Sequence, residues 1–199
     1  GDERPDCTLL QRWHHRTAEP MLDGPVTSRL AVIDFDPQTG KVLPGARLLP
    51  PRSPGNRSGV FAYAIADPGD PDSAGFRAVS VFSAVLRMMS IFEEADVLGR
   101  PLGWAFRGQQ LLIVPRAGLM ANAFYHRDSR SVQFFSFPAG TGSDTPLAHT
   151  CLSPDIVAHE ATHAILDGIA PDLYDAASPQ GLALHEAIAD LGAVIFAAR

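Results

Sequence analysis

The sequence predicts an α+β fold: a twisted β-sheet lobe, a long helix packed on it, and two further helices near the C-terminus. Short apolar runs separated by turns rich in Pro and Gly are typical of strands, and they occur in the first third of the chain and again over 103–137. Residues 76–98 contain no Gly or Pro and carry apolar side chains at helical spacing, which predicts a long buried helix. Residues 154–167 and 181–198 follow the same helical period.

The strands are predicted from apolar stretches and from the turns between them. RLAVIDFD (29–36) is expected to turn at DPQTGK and to pair with the returning stretch KVLPGARLL (41–49). The other predicted strands are VFAYAIA from Val60, GWAF (103–106), QQLLIVP (109–115) and both arms of a hairpin over 121–137 that turns at RDSRS. We expect two parts, a β-rich and loop-rich segment of unassigned role at 1–75 and a second lobe at 76–199.

Composition and charge exclude several classes of protein. With 46% hydrophobic and 19% charged residues among 199, the chain can build a core and is not a disordered segment. A formal net charge of −6 and the lack of a basic stripe argue against a nucleic-acid partner. No apolar run is expected to reach the length of a membrane span, so we expect no membrane partner.

Two cysteines, Cys7 and Cys151, leave the compartment open. They can form one disulfide if the fold brings them together, but two cysteines do not make a disulfide framework. Neither lies in a C-x-x-C pair, which argues against a zinc site built from thiolates. The N-terminal stretch GDERPDCTLL lacks the character of a signal peptide, and since a signal can be removed this does not decide the localisation.

The first candidate site is HEATH, residues 159–163, on the predicted helix 154–167. Residues four apart lie on one helix face, so His159 and His163 can hold one zinc ion between them. Glu160 lies about 100° from His159 and about 60° from His163 around the axis, which suits contact with a water rather than with the metal itself. The alternative is two exposed histidines beside a salt-bridging glutamate. Two ligands alone also leave a zinc site incomplete.

The second predicted helix supplies the missing ligand. Residues 181–198 are apolar almost all round, which predicts a buried helix, yet Glu186 and Asp190 lie on it four residues apart. Buried carboxylates need positive partners. Glu186 is therefore predicted as the third zinc ligand, and Asp190 as the acceptor of the free ring N–H of a zinc-bound histidine. The alternative is that both carboxylates face a solvent cleft or an arginine from elsewhere in the chain.

These residues resemble the thermolysin family of zinc metallopeptidases, the gluzincins. In that family an H-E-x-x-H helix is followed by a second helix with an E-x-x-x-D motif that carries the ligand Glu. Here HEATH and EAIAD have the same order, and Glu186 follows His163 by 23 positions. ANAFY (121–125) is similar to the family's Asn-Ala-Phe strand, which lies along the substrate. The resemblance covers 76–198 and is poor before that.

The resemblance implies a zincin-like fold, a zinc cofactor and hydrolysis of peptide bonds within a peptide or protein substrate. It implies that Glu160 is the general base and that Tyr174 stabilises the oxyanion. It also implies that Asn122 and Ala123 hydrogen-bond the substrate backbone, that Ile156 lines an apolar pocket, and that the protein is secreted.

Two of the departures from the family pattern bear on the predicted site. The family has a helical C-terminal lobe after the ligand helix, and this sequence ends at Arg199, so that lobe is expected to lie outside it. The family usually has Asn before the ligand Glu, whereas His185 stands here; it either supports a zinc-bound histidine or titrates near neutral pH and disturbs it. The predicted function is a zinc endopeptidase. The alternative is a zinc-binding domain without turnover, serving peptide binding or structure.

Overall fold

The computed structural model describes residues 19–36, 38–49, 62–67, 69–142, 144–175 and 178–199. In this part of the chain the fold is α+β. The strands are β1 (Leu30–Val32), β2 (Arg47–Leu48), β3 (Tyr63–Ala64), β4 (Leu111–Val114), β5 (Ala123–His126), β6 (Ser131–Phe134), β7 (Ser136–Pro138) and β8 (Leu147–His149). The helices are α1 (Ala74–Glu93), α2 (Pro154–Ile169), α3 (Pro171–Asp175) and α4 (Pro179–Ala198), with a 3-10 turn at Thr150–Leu152 before α2.

A four-stranded mixed sheet in the order β1-β4-β6-β5 forms one side of the core. β1, β4 and β6 run parallel, and β5 joins β6 as the antiparallel arm of the predicted hairpin. Leu30, Leu111, Ile113, Val132 and Phe134 are fully buried in these strands. The order leaves β5 at the edge of the sheet, beside α2.

The long helix α1 fills the core beside the sheet. It begins at Ala74, where the Ser73 side chain accepts a hydrogen bond from the backbone N–H of Phe76, and it ends at Glu93. Met88 and Met89 are at most 1% exposed, so they fill the core as flexible apolar side chains. The helix predicted over 76–98 is therefore confirmed, although its last turn ends earlier than predicted.

Helices α2 and α4 approach each other closely at Gly192. A Cβ added to Gly192 would lie 2.2 Å from Thr162 Oγ1, well inside van der Waals contact. The Thr162 hydroxyl cannot move away freely, because it is buried and donates to the carbonyl of Ala158 at 2.7 Å. Any larger residue at this crossing has to displace the Thr162 side chain. Gly192 lies two residues after Asp190 on the helix that carries the acidic residues.

Two strand predictions are wrong. Residues 103–106 form irregular backbone that continues into a bend rather than a strand; there the Trp104 indole N–H donates to the carbonyl of Arg29 at 3.0 Å. The stretch 41–49 does not pair with β1, because the fully buried β1 takes β4 as its partner, and β2 pairs with β3 instead. A single bridge, Phe35 to Val42, remains of the predicted return. The stretch 41–49 was expected to pair with β1 because it is close in sequence. The buried β1 pairs instead with the distant strand β4.

The prediction that α4 is buried on all sides is wrong. Its buried residues lie on one narrow face: Gly181, His185, Ala189, Gly192 and Phe196. Five large apolar side chains are exposed: Leu182, Leu184, Leu191, Val194 and Ile195. Total apolar content does not specify which face of a helix finds a partner, and in the described residues α4 packs chiefly against α2.

In the described residues, two helices are long and apolar enough to pass the test for a membrane span. By length and composition alone, α1 and α4 are each long and apolar enough to cross a membrane, contrary to the expectation from the sequence. The apolar window of α1 is 56% buried inside the fold, as in the core helix of a soluble protein, whereas that of α4 is 22% buried. The same test is passed by core helices, so it is weak support for a membrane span.

Some predictions fall partly or wholly on residues outside the described ranges. Cys151 is buried in the turn before α2, and burial raises the pKa of its thiol to about 12. Cys7 lies outside the described residues, so the pairing of the two cysteines stays open. The strand predicted from Val60 is represented by β3, while Val60 itself lies outside.

The close crossing at Gly192 gives a stability prediction. We expect Gly192→Ala to lower the free energy of unfolding by about 1–3 kcal/mol, because the added methyl group has to displace Thr162. The control is Gly75→Ala in α1, where the nearest atom to an added Cβ is Ile65 Cγ2 at 3.9 Å. Urea unfolding of both variants measures the difference. Equal midpoints for Gly192→Ala and the wild type would contradict it.

Candidate metal centre and cleft

Two histidines on α2 place their Nε2 atoms side by side. His159 and His163 are one helical turn apart, and their Nε2 atoms are 3.0 Å apart. Their rings are perpendicular, with centroids 4.7 Å apart. The predicted same-face arrangement is present.

The outer ring nitrogens identify which atoms carry protons. His159 Nδ1 lies 3.0 Å from Asp190 Oδ1, and a carboxylate only accepts, so this nitrogen carries the hydrogen. His163 Nδ1 lies 2.6 Å from His185 Nδ1, and the two rings are stacked at 14°. If His163 donates in this pair, both Nε2 atoms carry lone pairs that face each other. A histidine ligand of a metal has this arrangement, with its other N–H held by a partner.

Glu186 brings a third acceptor to the same point. Its Oε2 lies 3.4 Å from His159 Nε2 and 3.6 Å from His163 Nε2. A tetrahedral metal with bonds of about 2 Å has ligand atoms about 3.3 Å apart along each edge. The three separations of 3.0, 3.4 and 3.6 Å lie close to this value. Two imidazole nitrogens and one carboxylate oxygen form a donor set that fits zinc.

Burial keeps the inner histidine neutral. His163 is largely buried, and burial lowers its pKa to about 3, with smaller contributions from the neighbouring His159 and His185. Burial also lowers the pKa of His185. Within the described residues, His185 Nε2 is buried without a hydrogen-bond partner, so the ring is held by its Nδ1 contact with His163 and by stacking on that ring. A metal ligand has to be unprotonated, and His163 meets this requirement well below neutral pH.

Glu160 is held against the edge strand and not in the ligand set. It is 8% exposed, and its Oε2 accepts a hydrogen bond from the backbone N–H of Tyr125 in β5 at 3.0 Å. Burial raises the pKa of Glu160, while His159 and the Tyr125 N–H partly offset that rise. Helix α2 therefore presents a carboxyl group with raised basicity beside the pair of histidines.

The exposure of the two carboxylates on α4 differs from the prediction. The side chains of Glu186 and Asp190 are 65% and 76% exposed, so the premise that they are buried charges is wrong. They face an open cleft, and from there both contact His159. The solvent cleft, which was the alternative, is therefore present, and the role of Glu186 as a zinc ligand stays a prediction.

One cleft of about 500 Å³ collects most of the predicted site residues. It is lined by Asn122, Ala123, Phe124, Tyr125, His159, Glu160, His163, Leu173, Tyr174, Leu182, His185 and Glu186. Asp190 lines a smaller adjoining cavity of about 200 Å³ together with Asp155, Ile156 and Ala193. The structure thus brings together residues from β5, α2, α3 and α4 that are far apart in the sequence.

The edge of β5 faces this cleft at alternate residues. The N–H groups of Ala123 and Tyr125 point away from β6: one donates to Asn122 Oδ1 at 2.9 Å and the other to Glu160. Asn122 itself is exposed, and its carbonyl accepts from the Thr150 hydroxyl at 3.1 Å. The Ala123 N–H is therefore available for pairing once the Asn122 side chain turns away, whereas the Tyr125 N–H stays bound to Glu160.

Tyr174 lies at the rim of the cleft on the short helix α3. The backbone N–H of Arg127 donates to its hydroxyl at 3.4 Å, and the guanidinium carbon of Arg127 lies 4.4 Å from the ring centroid. Its ring also meets those of Tyr125 and His185 edge-on, at 5.6 and 5.9 Å.

Sequence reasoning missed a polar group behind the cleft. Arg127 binds both carboxylate oxygens of Asp167, which also accepts from the Tyr125 hydroxyl at 2.7 Å. Asp167 is 0% exposed. One signal was present, because Asp167 follows His163 by four residues on the same helix face. Arg127 carried no such signal, since an arginine in a turn is usually a solvated charge.

Comparison of the chain with models of known protein families gives no match. Comparison with curated protein sequences gives none either. The function of the chain is therefore inferred from the residues of the cleft and their geometry.

Proposed function

We propose that this protein is a zinc-dependent endopeptidase with a zincin-like fold, similar to the thermolysin family. One observation carries the proposal: His159 Nε2, His163 Nε2 and Glu186 Oε2 converge with separations of 3.0 to 3.6 Å. The buried Glu160 adjoins this point, tied to the strand that borders the cleft. Ligands, base and substrate edge are then in one place, as hydrolysis of a peptide requires.

The residues that would hold zinc are His159, His163 and Glu186. Asp190 accepts from His159 Nδ1 and His185 stacks on His163, so both orient a ligand ring. When bound, zinc supplies Lewis-acid chemistry: it lowers the pKa of water towards neutral pH and polarises a carbonyl oxygen.

Glu160 would act as the general base. Its carboxylate takes a proton from the attacking water, and the carboxylic acid so formed delivers that proton to the nitrogen of the leaving amine. The raised pKa of Glu160 favours this role, because a general base accepts and releases a proton more readily when its pKa is closer to the working pH. The Tyr125 N–H fixes one oxygen, which leaves the other to face the reacting groups.

The substrate would be an extended peptide. In an antiparallel strand the N–H and C=O of one residue point the same way, so the carbonyls of Ala123 and Tyr125 also face the cleft. A peptide can pair there as an additional strand, with Asn122 hydrogen-bonding its backbone. Ile156 in the adjoining cavity offers an apolar contact for a side chain of the substrate, and Tyr174 at the rim would donate to the oxyanion. Under this proposal the partners are peptides or proteins, and neither nucleic acid nor membrane is involved.

A second candidate is a zinc-binding domain without turnover of its own. The exposed side of α4 favours it, because Leu182 lines the cleft and is still 57% exposed. A cleft with one open wall holds a substrate less firmly, and catalysis depends on that positioning. A helical lobe beyond the ligand helix, as the family has, would close this side.

The role of Glu160 can be separated from metal binding. We expect zinc-loaded Glu160→Gln to lose about 10²- to 10⁴-fold in kcat on a fluorogenic peptide series, because the amide cannot accept the proton. Its zinc content, measured by atomic spectroscopy, should equal that of the wild type. The control is Glu94→Gln, a partly exposed carboxylate paired with Arg199. Full zinc occupancy without turnover in the wild type would favour the second candidate.

Metal binding itself has a thermodynamic test. At a free zinc concentration 100 times the Kd, the folded wild type should gain about 2.7 kcal/mol of stability, measured as a rise in Tm. Glu186→Gln should abolish most of that gain, and Asp190→Asn should weaken zinc binding by about 10- to 100-fold in titration calorimetry. Asp172→Asn, an exposed carboxylate on α3, is the matched control. A wild type that zinc does not stabilise would exclude the metal centre.

A further inference from the structure

The short helix that carries Tyr174 cannot hold its own position. α3 has five residues and none of them is buried. A helix of this length has little stability alone, because the cost of forming the first turn exceeds the gain from so few hydrogen bonds. The place of Tyr174 at the cleft therefore depends on contacts from outside α3.

Arg127 supplies these contacts from the β5–β6 hairpin. Its NH1 donates to Asp175 Oδ2 and its NH2 to the carbonyl of Pro171, both at 2.7 Å, so it grips both ends of α3. Its Nε and NH2 bind Asp167 at the end of α2. An arginine can do this because its guanidinium has five donors in a fixed plane.

Arg127 also contacts Tyr174 directly, on two sides. The guanidinium carbon lies 4.4 Å from the ring centroid, and the backbone N–H donates to the hydroxyl oxygen at 3.4 Å. A cation over an aromatic face is attracted by the ring. Arg127 thus acts on both the ring and the hydroxyl, beside the edge-on contacts of the ring with Tyr125 and His185.

The contact of Arg127 with α2 is fixed at Asp167. Asp167 is fully buried, and the Tyr125 hydroxyl donates to it as well. The hydrogen bond to Asp167 raises the pKa of Arg127, so the guanidinium stays charged. Tyr125 in β5 also holds Glu160 through its N–H, so the β5–β6 hairpin contacts both the base and, through Arg127, Tyr174.

We propose that Arg127 is a positioning residue that holds Tyr174 in the cleft, through its contacts with Asp167, Pro171 and Asp175. Its consequence for kcat rests on the proposed peptidase function, whereas its effect on the location of Tyr174 does not. Under the proposed function, the group that Tyr174 would face is the carbonyl oxygen of a peptide bond in the cleft.

The location of Tyr174 can be followed without turnover. The chain has three tyrosines, so the protein labelled with 3-fluorotyrosine should give three ¹⁹F NMR lines, assigned by Tyr→Phe variants. We expect Arg127→Met to move or broaden the Tyr174 line and leave the Tyr63 line unchanged. Amide exchange over 171–175 should be about tenfold faster, from loss of charge-assisted hydrogen bonds. Arg130→Met, an exposed arginine of the same hairpin, should change neither.

A milder variant covers the case in which Arg127→Met does not fold. Asp175 is 67% exposed, so Asp175→Asn weakens the grip on α3 and leaves the buried Arg127–Asp167 pair intact. We expect it to move the Tyr174 line in the same direction, by less. Arg127→Lys keeps the charge beside Asp167 but loses the fork, and should fall between the two.

Kinetics test whether Arg127 acts through Tyr174. In zinc-loaded protein that cleaves peptides, Arg127→Met should lower kcat about a hundredfold with KM and zinc affinity unchanged. The same change in a Tyr174→Phe background should cost almost nothing more. Losses that add in the double variant would overturn the inference, as would a Tyr174 line that stays in place in both Arg127→Met and Asp175→Asn. Lack of turnover in the wild type would count against the peptidase alone, because the ¹⁹F lines still decide the inference.

Discussion

The close crossing of α2 and α4 is the constraint on which the candidate centre depends. The ligand set is split between the two helices, two histidines on one and a carboxylate on the other. At Gly192 a single methyl group would overlap Thr162, so the helices can reach their present separation only without a side chain there. Ligand atoms in a metal site have to be placed to about 0.5 Å. The spacing of Glu186 from the histidines is therefore set by packing, some distance from the polar atoms themselves.

Three of the buried polar side chains on helix α2 each have a partner from a different element. Glu160 is held by the β5 backbone, His163 by His185 of α4, and Asp167 by Arg127 of the hairpin turn. Burying these groups costs free energy unless they are hydrogen-bonded. The polar stripe thus stabilises the docking of β5 and α4 only when both are in register, and it couples the order of the cleft to the order of the core.

Periodicity predicted the parts of the site that lie within one helix. The pairing of His159 with His163 and the shared face of Glu186 and Asp190 follow from the pitch of an α-helix, and the structure has both. The exposed side of α4 and the partner of β1 could not be predicted this way, because each depends on which distant segment packs there. Arg127 and Asp167 are 40 residues apart, and their contact follows from the sheet order rather than from any local pattern.

The contrast in burial between the ligands has a consequence for how the cleft is used. His163 is largely buried and fixed by its neighbours, whereas the Glu186 side chain is 65% exposed and reaches the histidines from the open side. A metal bound here would be held rigidly from α2 and loosely from α4, with water and substrate entering on the α4 side. Leu182, one of the exposed apolar residues of α4, lines the cleft on that side. Because enclosure raises the strength of every charge interaction in a site, a partner that covered α4 would, under the proposed function, strengthen the action of Glu160 and of a bound metal.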